Sequence, residues 1–531
     1  MRKAIFFLTV VGMWILAEAR VWASVSEVTS LDTGDFLVGA YYMPPAQTSR
    51  HRIWASVNKW NLNNGAYDWP YLGMYDPTKP EVMEWQTKWA LEHGVSLFIF
   101  DWYFPPYSKK PIWEQSVNSF INSNNAKAMK FSLYFTSVKL PKAVPNQLDL
   151  PASEEFIRQV ARYWAEHYFN QPNYLKVGGW PVVFTDAPDM SDWKAFGMSR
   201  AIGLLKETLE GYGYEGLYMV EENGAYVDGD YSGYRQVLDR SRADGFDAVT
   251  SYGYDYRPGL PDCSTYGTYL GKFTSEVLGW AAGSQTKFIP SLRAFYDDRI
   301  RINPPTKVCP YDYKTDALVA PFESALVEWK KAYTRTDGGV IVEGKKLVTI
   351  SAWNEWVEGQ SIEPGKRLGG GSDPFSFLKK VGKIFGGSEL ESERPAQSQG
   401  PNAPGPYDLG RDSTDVFNFD NQMAADGFIT NTTNSALVME GSGAVSYGSD
   451  IGGAAGSEMV PFKFYRGVNI EAAKYDKVTI RFGAACGAKF DQECGLKQVF
   501  FRWTTNSDKR PYRVAGPYSG SVTLVEGGKK D

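Results

Sequence analysis

The sequence is poor in histidine and cysteine, with three and four residues among 531. His51, His93 and His167 fall in a predicted loop and on predicted helices, not at predicted strand ends. A catalytic triad built on histidine, a catalytic zinc site and a haem ligand are therefore poorly supported. We expect no metal and no cofactor.

The four cysteines show no zinc-ligand spacing, and their positions suggest one pair in each half of the chain. The pairs would be Cys263–Cys309 and Cys486–Cys494, but four cysteines allow three connectivities. Structural disulfides and plain buried thiols fit the spacing equally well.

An excess of positive charge is also missing, since 56 Lys and Arg residues face 61 Asp and Glu residues and the formal net charge is −5. This balance argues against a nucleic-acid partner, because a nucleic-acid-binding protein normally carries a basic patch. Beyond the N-terminus, no apolar run is long enough to cross a bilayer. We expect a monomer without stable membrane insertion.

The N-terminus has the pattern of a secretory signal peptide. Arg2 and Lys3 precede an apolar run over residues 4–17, and small residues precede a cleavage position after Ala23. Residues 1–23 would then be removed, and the mature protein would be secreted or periplasmic. An uncleaved membrane anchor is the alternative, although the apolar run is short for one.

Aromatic residues are abundant, at 15 %, while apolar residues (43 %) and charged residues (22 %) are at ordinary globular levels. This composition excludes a disordered, collagen-like or coiled-coil chain. At 531 residues the chain is too long for one ordinary domain. The aromatic side chains indicate flat stacking surfaces at a binding site.

Short apolar runs alternate with amphipathic stretches between residues 31 and 385, and this alternation predicts a (β/α)8 barrel. The runs lie at residues 36–43, 95–103, 131–137, 181–186, 216–222, 248–254, 288–293 and 347–356. An open doubly wound sheet is the alternative, but no glycine-rich phosphate loop follows the first run.

Residues 386–411 have the Pro, Gly and Ser content of a linker. Residues 412–531 show short alternating runs separated by turn residues, which predicts an antiparallel β-sandwich. Phe501, Trp503 and Tyr512 would suit a carbohydrate-binding module, although sandwich core is the commoner role for such aromatics.

Carboxylates and aromatic side chains stand at the ends of the predicted barrel strands, where barrel active sites form. Aromatic faces stack on the C–H patches of sugar rings, and carboxylates bind hydroxyls and transfer protons. We assign the following residues to substrate binding: Tyr41, Tyr42, Asp101, Trp102, Glu221, Tyr252, Tyr254, Trp353, Asn354 and Trp356.

The assignments of Asp101, Trp102 and Glu221 to substrate binding each have a structural alternative. Asp101 and Trp102 would look the same if they only formed a hydrogen-bonded pair at the barrel mouth. Glu221 and Glu222 must point to opposite sides of a continuing strand, so at most one of them faces the mouth.

Glu355 and Glu358 form the sharpest element, because two residues separate them where the last strand leaves the barrel. Paired carboxylates are the usual machinery of glycoside cleavage. We predict that both are catalytic. The alternative is a salt-bridging barrel residue and a solvated loop residue, since Glu-x-x-Glu is a common string.

Several strings resemble glycoside hydrolase family 99-like proteins and the related WbsX-like proteins. Gly-Ala-Tyr-Tyr stands at residues 39–42, Leu-Gly-Met-Tyr-Asp at 72–76, and Phe-Ile-Phe-Asp-Trp-Tyr at 98–103. The most specific string is Ser-Ala-Trp-Asn-Glu-Trp-Val-Glu-Gly at 351–359, followed by Ile-Glu-Pro at 362–364. The resemblance covers residues 36–385.

The resemblance implies an endo-α-mannosidase-related barrel in which Glu358 is the general acid/base. Glu355 would deprotonate the sugar 2-hydroxyl and give a 1,2-anhydro sugar, with net retention. The mannosidases carry His where this chain has Val357. The resemblance therefore supports the roles of the acid pair more strongly than it supports specificity for mannose.

The sequence therefore predicts a secreted glycoside hydrolase that cleaves an α-linked glycan or polysaccharide. Glycosyl transfer in surface-polysaccharide metabolism is the second hypothesis, and predicted export counts against it because nucleotide sugars are cytoplasmic. A non-catalytic sugar-binding protein is the third, and the retained acid pair counts against that one.

Overall fold

The computed structural model describes most of the chain between residues 25 and 395 and only strand backbone beyond residue 400. The described ranges are 25–28, 33–44, 69–104, 111, 113–136, 153–186, 197–223, 232–252, 266–293, 319–358, 360–366, 373–388, 391 and 393–395. The predicted signal peptide, the four cysteines and Tyr254 lie outside these residues.

Nine consecutive neighbours form the main sheet. They are β1 (Phe36–Tyr42), β2 (Val95–Tyr103), β3 (Lys130–Thr136), β4 (Trp180–Asp186), β5 (Tyr218–Glu222), β6 (Ala248–Thr250), β7 (Lys287–Phe288), β8 (Ser291–Arg293) and β9 (Lys345–Ser351). All neighbouring pairs along this path are parallel. Two short strands, Lys176–Val177 and Ile341–Val342, add antiparallel edges to β4 and β9.

One helix follows each strand, as the alternating pattern predicts, if the short strands β7 and β8 are counted as one interrupted strand. The helices are α1 (Pro80–Glu92), α2 (Gln115–Ile121), α3 (Glu154–His167), α4 (Met198–Glu210), α5 (Ser232–Ala243), α6 (Tyr266–Ala282), α7 (Val319–Arg335) and α8 (Ser376–Phe385). The start of α3 shows ordinary capping chemistry. Ser153 accepts a hydrogen bond from Phe156 N at 3.1 Å, and Glu154 and Glu155 occupy the first turn of α3.

The sheet curls so that its two ends meet. Its order is β8–β9–β1–β2–β3–β4–β5–β6–β7, and only Ile289 and Pro290 separate β7 from β8 in the chain. Ile289 N donates to Val249 O at 2.9 Å, and Thr349 N donates to Pro290 O at 3.0 Å, which joins this connection to β6 and β9. The fold is therefore a (β/α)8-barrel-like arrangement, and the open doubly wound sheet is excluded.

Side chains alternate between two cores, as the pleat of a strand requires. An inner cluster fills the ring and includes Leu37, Tyr41, Leu97, Ile99, Val182, Phe184, Val220, Ala248, Ile289 and Leu347. An outer cluster packs between sheet and helices and includes Val38, Tyr42, Phe98, Phe100, Trp102, Met219 and Ile350. Gly39 has no side chain in the inner layer, which leaves room for Leu97 against β1.

The last strand is shorter than predicted. Hydrogen bonding to the sheet ladder ends with β9 at Ser351, although Trp353 N still reaches Tyr41 O at 2.7 Å. Local turn bonds then replace the ladder, and Trp356–Glu358 form a 3₁₀ turn. The extended run predicted to residue 356 was wrong at this end, and Glu355 and Glu358 lie on a tight loop beyond the strand.

Part of the predicted linker packs against the barrel. Ser388 N donates to Glu92 O at 2.7 Å, and Trp89 Nε1 donates to Glu393 O at 3.1 Å. The Arg394 guanidinium lies 4.4 Å from the Phe375 ring centroid. Residues 386–388 and 393–395 thus extend the packed region beyond α8.

Beyond residue 400 the described strands form antiparallel pairs. Ser435–Glu440 pairs with Ala444–Ser449, Lys477–Phe482 with Gly520–Val525, and Val499–Trp503 with Tyr512–Gly516. The antiparallel strands agree with the alternating sequence, and the sandwich and its carbohydrate-binding role stay predictions.

Helices that could span a membrane do not occur within the described ranges.

The close approach of residues 387–388 to α8 gives a stability prediction. A Cβ on Gly382 would collide with the Ser388 backbone carbonyl. Gly382→Ala should therefore lower the free energy of unfolding by about 1–3 kcal/mol, the usual cost of overpacking. Thermal or urea unfolding measures this loss.

Gly203 on α4 provides the matched control, because a Cβ there has no heavy atom within 4 Å. Gly203→Ala should be neutral or stabilising by up to about 1 kcal/mol. Equal stability of the two variants would contradict the packing of residues 387–388 on α8.

Candidate active site

Three tyrosine rings form the floor of the barrel mouth. The Tyr41 and Tyr252 centroids lie 4.5 Å apart, Tyr134 and Tyr252 are 5.5 Å apart, and Tyr41 and Tyr134 are 5.7 Å apart. Tyr41 and Tyr134 belong to the inner cluster, and Tyr252 packs against it just after β6. The inward positions of the strands thus change from aliphatic to polar aromatic residues toward their carboxyl ends.

Asp101 takes the next inward position on β2 after Ile99, and it is only 6 % exposed. The Tyr252 hydroxyl donates to Asp101 Oδ2 at 3.4 Å. Burial raises the pKa of the Asp101 carboxyl well above its usual range, and the negative charge of Glu358 adds to this effect. The side chain therefore favours its neutral form, in which it can donate a hydrogen bond.

Glu222 is a second buried carboxyl, at the inward end of β5. Tyr252 N donates to its Oε1 at 2.9 Å, and the Tyr134 hydroxyl donates to its Oε2 at 3.4 Å. Burial raises the pKa of Glu222 to about 7, while the backbone hydrogen bond from Tyr252 and the positive charge of Arg293 act in the opposite direction. Glu222 holds Tyr252 in place beneath the mouth.

The loop after β9 carries Glu355 and Glu358. Both Gln360 N and Glu358 N donate to Glu355 O, at 3.1 and 3.2 Å, so the loop folds back on itself. The Gln360 side-chain amide donates to Glu358 Oε2, and Ser351 Oγ donates to Gln360 Oε1 at 2.7 Å. Glu355 is buried and Glu358 is half-buried.

The two loop carboxylates lie close to the strand-end residues. Burial raises the pKa of Tyr252 well above its usual range, and the carboxyls of Asp101, Glu355 and Glu358 raise it further when they are ionised. Burial likewise raises the pKa of Tyr103, and the same three carboxyls add to this effect. We refer to Asp101, Tyr103, Tyr252, Glu355 and Glu358 as the acid cluster.

A buried network behind the acid cluster supports the loop. Glu363 is 2 % exposed and accepts hydrogen bonds from Gln86 Nε2 (2.7 Å), Trp356 Nε1 (2.8 Å) and the Tyr75 hydroxyl (3.0 Å). Burial raises the pKa of Glu363 to about 8, against these hydrogen bonds. The network ties the loop to α1 through a carboxyl that favours its neutral form.

Asn354 has a structural position in the same region. Its amide donates to Met43 O and its Oδ1 accepts from Met43 N, both at 2.8 Å. These two bonds clamp the loop after β9 onto the end of β1.

The structure brings Tyr41, Asp101 and Tyr252 to the mouth with the acid pair, but it places four predicted aromatic residues elsewhere. Tyr42 donates to Gln86 Oε1 at 2.7 Å, and Trp102 Nε1 donates to the Tyr168 hydroxyl at 3.2 Å. Trp353 and Trp356 also belong to the outer cluster. Tyr42 and Trp102 occupy strand positions whose side chains point outward, so they lie between the sheet and the helices.

Glu221 points away from the mouth and Glu222 points into it, in agreement with the prediction that at most one of them faces the site. Glu221 pairs with Arg240 on α5, Nη2 to Oε1 at 3.2 Å, and accepts from Ser241. Glu221, which the sequence assigned to substrate binding, therefore faces α5, and the neighbouring Glu222 is the carboxyl that faces the mouth.

Tyr103, Tyr134, Glu222 and Gln360 are site residues that the sequence reasoning did not assign. Val220 belongs to the inner cluster, and Glu222 lies two residues further along the same strand. Alternate residues of a strand point to the same face, so the side chain of Glu222 must also point inward. Gln360 stands on an irregular loop, where strand parity gives no such signal.

No group of His, Cys, Asp or Glu side chains within the described part of the chain has the arrangement of a metal site. The carboxyl, hydroxyl and aromatic groups of the described mouth offer hydrogen bonding, proton transfer and aromatic contact.

The buried Glu363 carboxyl gives a pH prediction. A carboxyl whose pKa is about 8 in the folded chain, against 4.5 ordinarily, stabilises the fold while it is protonated. Its contribution is complete below about pH 4.5 and is lost as the pH rises through about 8. Urea unfolding at pH 5.5 and 8.5 should show a smaller drop in stability for Glu363→Gln than for the wild type.

Glu222 and the other raised carboxyls are the same in both proteins, so the difference between the two drops reports Glu363. Identical drops would contradict the neutral state of this carboxyl.

Comparisons with known proteins agree with the resemblance found in the sequence. The model of a family described as "Glycosyltransferase WbsX" matches residues 68–257, which include β2 to β6. The uncharacterized protein WxcX of Xanthomonas campestris pv. campestris is 23 % identical over 337 residues. That match covers 56 % of this chain and 41 % of the relative, so the chain spans about two fifths of the length of the curated relatives it matches.

Two solved structures are similar to this chain over about two thirds of its length. The GH99 endo-alpha-mannosidase from Bacteroides thetaiotaomicron has 15 % identity and a TM-score of 0.46, covering 67 % of this chain and 97 % of that one. A glycoside hydrolase-like protein has 18 % identity and a TM-score of 0.47, covering 68 % and 97 %. The family model confirms the resemblance to WbsX-like proteins over residues 68–257.

Proposed function

We propose that this chain is a glycoside hydrolase that cleaves an α-linked glycan or polysaccharide, with Glu355 and Glu358 as its catalytic pair. The observation that carries the proposal is the acid cluster, in which the Tyr252 hydroxyl donates to Asp101 Oδ2 at 3.4 Å and the carboxyls of Glu355 and Glu358 lie close enough to Tyr252 to raise its pKa. They stand at the carboxyl ends of the strands, where barrel enzymes place their chemistry.

The two carboxyl groups would divide the reaction between them. Glu358 donates a proton to the glycosidic oxygen as the bond to the anomeric carbon breaks. Glu355 takes the proton of the sugar 2-hydroxyl, whose oxygen closes on the anomeric carbon and gives a 1,2-anhydro sugar. Water then opens this ring, with Glu358 as base and Glu355 returning its proton to the 2-oxygen, so that the configuration is retained.

The surroundings of the pair suit a sugar. A neutral Asp101 can donate a hydrogen bond to a hydroxyl or ring oxygen, and Tyr103 and Tyr252 stay protonated donors at all ordinary pH values. Burial of Asp101 and Glu355 strengthens these interactions relative to those in bulk solvent. Export through the predicted signal peptide and endo action on a long glycan belong to the same proposal.

Glycosyl transfer is the second candidate, and the description of the matching family model favours it. A transferase would require a nucleotide sugar as donor and would lengthen a glycan. Predicted export to a compartment without nucleotide sugars weighs against it.

Substitution of the catalytic pair tests the proposal. Glu355→Gln and Glu358→Gln should each lower reducing-end release from the cleaved substrate by about 10²-fold or more, because each removes a proton-transfer group. The measurement uses a panel of α-mannans and bacterial and plant polysaccharides.

Glu276→Gln is the matched control, because Glu276 lies on the exposed side of α6, 4.0 Å from Lys272. It should retain wild-type activity. Full activity in both loop variants would overturn the assignment, and chain growth that depends on a nucleotide sugar would establish the second candidate.

A further inference from the structure

We infer that Gln360 is a positioning residue, which holds the Glu358 carboxylate in the orientation from which it acts by donating a side-chain hydrogen bond to one of its oxygens. This inference rests on the proposed function, in which Glu358 is the general acid/base. It adds a residue that contacts no substrate in the proposed reaction but determines the geometry of one that does.

Three side chains form a relay from the sheet to the catalytic carboxylate. Ser351 is the last residue of β9 and is aligned with Arg293 on the neighbouring strand. Its hydroxyl donates to Gln360 Oε1 at 2.7 Å, and the Gln360 amide nitrogen donates to Glu358 Oε2. The relay therefore anchors a loop side chain to the rigid end of a barrel strand.

The chemistry of the partners fixes the direction of the relay. An ionised carboxylate can only accept hydrogen bonds, so the amide NH₂ of Gln360 must face Glu358. The amide oxygen then faces Ser351, whose hydroxyl is the donor. Both serine and glutamine are fully buried, so water does not compete for these bonds.

Gln360 also sets the position of Glu355. Its backbone N–H donates to Glu355 O at 3.1 Å, and the two residues form an antiparallel bridge across the turn. One residue thus contacts both members of the proposed catalytic pair, by its backbone at Glu355 and by its side chain at Glu358.

The occupied oxygen determines where the proton of Glu358 resides. When Glu358 is protonated, Oε2 continues to accept from the amide as a carbonyl oxygen, and Oε1 bears the proton. When Glu358 is ionised, the amide hydrogen bond favours the charged form. Asp101, Tyr103, Tyr252 and Glu355 also lie near Glu358 among the described residues. Gln360 is thus one of the groups that favour the carboxylate, and it does so by a direct hydrogen bond.

Gln360→Met tests the relay, because methionine has a similar length without the amide. We expect kcat/KM to fall about 10-fold, the usual effect of losing a hydrogen bond to a charged group. The alkaline limb of the kcat/KM profile should move to higher pH, since a donor that favours the carboxylate is gone. Ser351→Ala should move the same limb in the same direction by less.

Two further variants separate positioning from general damage to the loop. Ser361→Ala is the matched control, because the Ser361 hydroxyl donates to a main-chain carbonyl, Trp353 O, at 2.8 Å. It should leave the alkaline limb in place. Gln360→Glu should retain activity at acidic pH, where a protonated carboxyl can replace the amide donor, and lose it as that carboxyl ionises.

A direct titration keeps this inference separate from the proposed function. In protein labelled with ¹³C at the glutamate carboxyl carbons, the Glu358 resonance is identified by its absence in Glu358→Gln. Its titration midpoint should rise in Gln360→Met whether or not a substrate has been found. An unchanged midpoint, or an alkaline limb that moves equally in Ser361→Ala, would overturn the role of Gln360.

Discussion

Two backbone hydrogen bonds, from Ile289 N to Val249 O and from Thr349 N to Pro290 O, close the ring of strands on which the rest of the structure depends. They join the broken seventh position of the barrel to β6 and to β9, so that parallel strands surround one interior. Every strand then directs its carboxyl end to the same mouth. Residues as distant in sequence as Asp101, Tyr252 and Glu358 become neighbours for this reason, and their placement needs no long-range attraction of their own.

The mouth concentrates carboxyl groups that water would normally solvate. Burial favours neutral Asp101, Glu222 and Glu363, while hydrogen bonds from Tyr252, Gln86, Trp356 and Gln360 orient the cluster and its supports. This combination costs stability, because desolvated acids and their partners would pack more favourably as apolar residues. Such a cost is commonly found at functional sites, where perturbed titratable groups gather.

The repeating pattern of apolar runs predicts the barrel well, because strand and helix periods differ clearly and each run is buried on both faces. The surrounding motif singles out Glu355 and Glu358, whereas their spacing alone leaves a structural alternative open, and their catalytic role stays a prediction. Side-chain direction was harder to predict. Tyr42 and Trp102 adjoin inward residues but face the helices, and Glu222 faces the mouth where Glu221 was assigned. Gln360 was missed because its role arises from a turn whose geometry no periodicity encodes.

Hydrolysis in ¹⁸O-labelled water tests the central claim most directly, namely that the acid cluster cleaves a glycosidic bond with water as the acceptor. The protein is incubated with a glycan that it binds, and the masses of the products are measured by mass spectrometry. The account predicts shorter glycans with one ¹⁸O at each new reducing end. Longer glycans formed from a nucleotide sugar without ¹⁸O incorporation would contradict it.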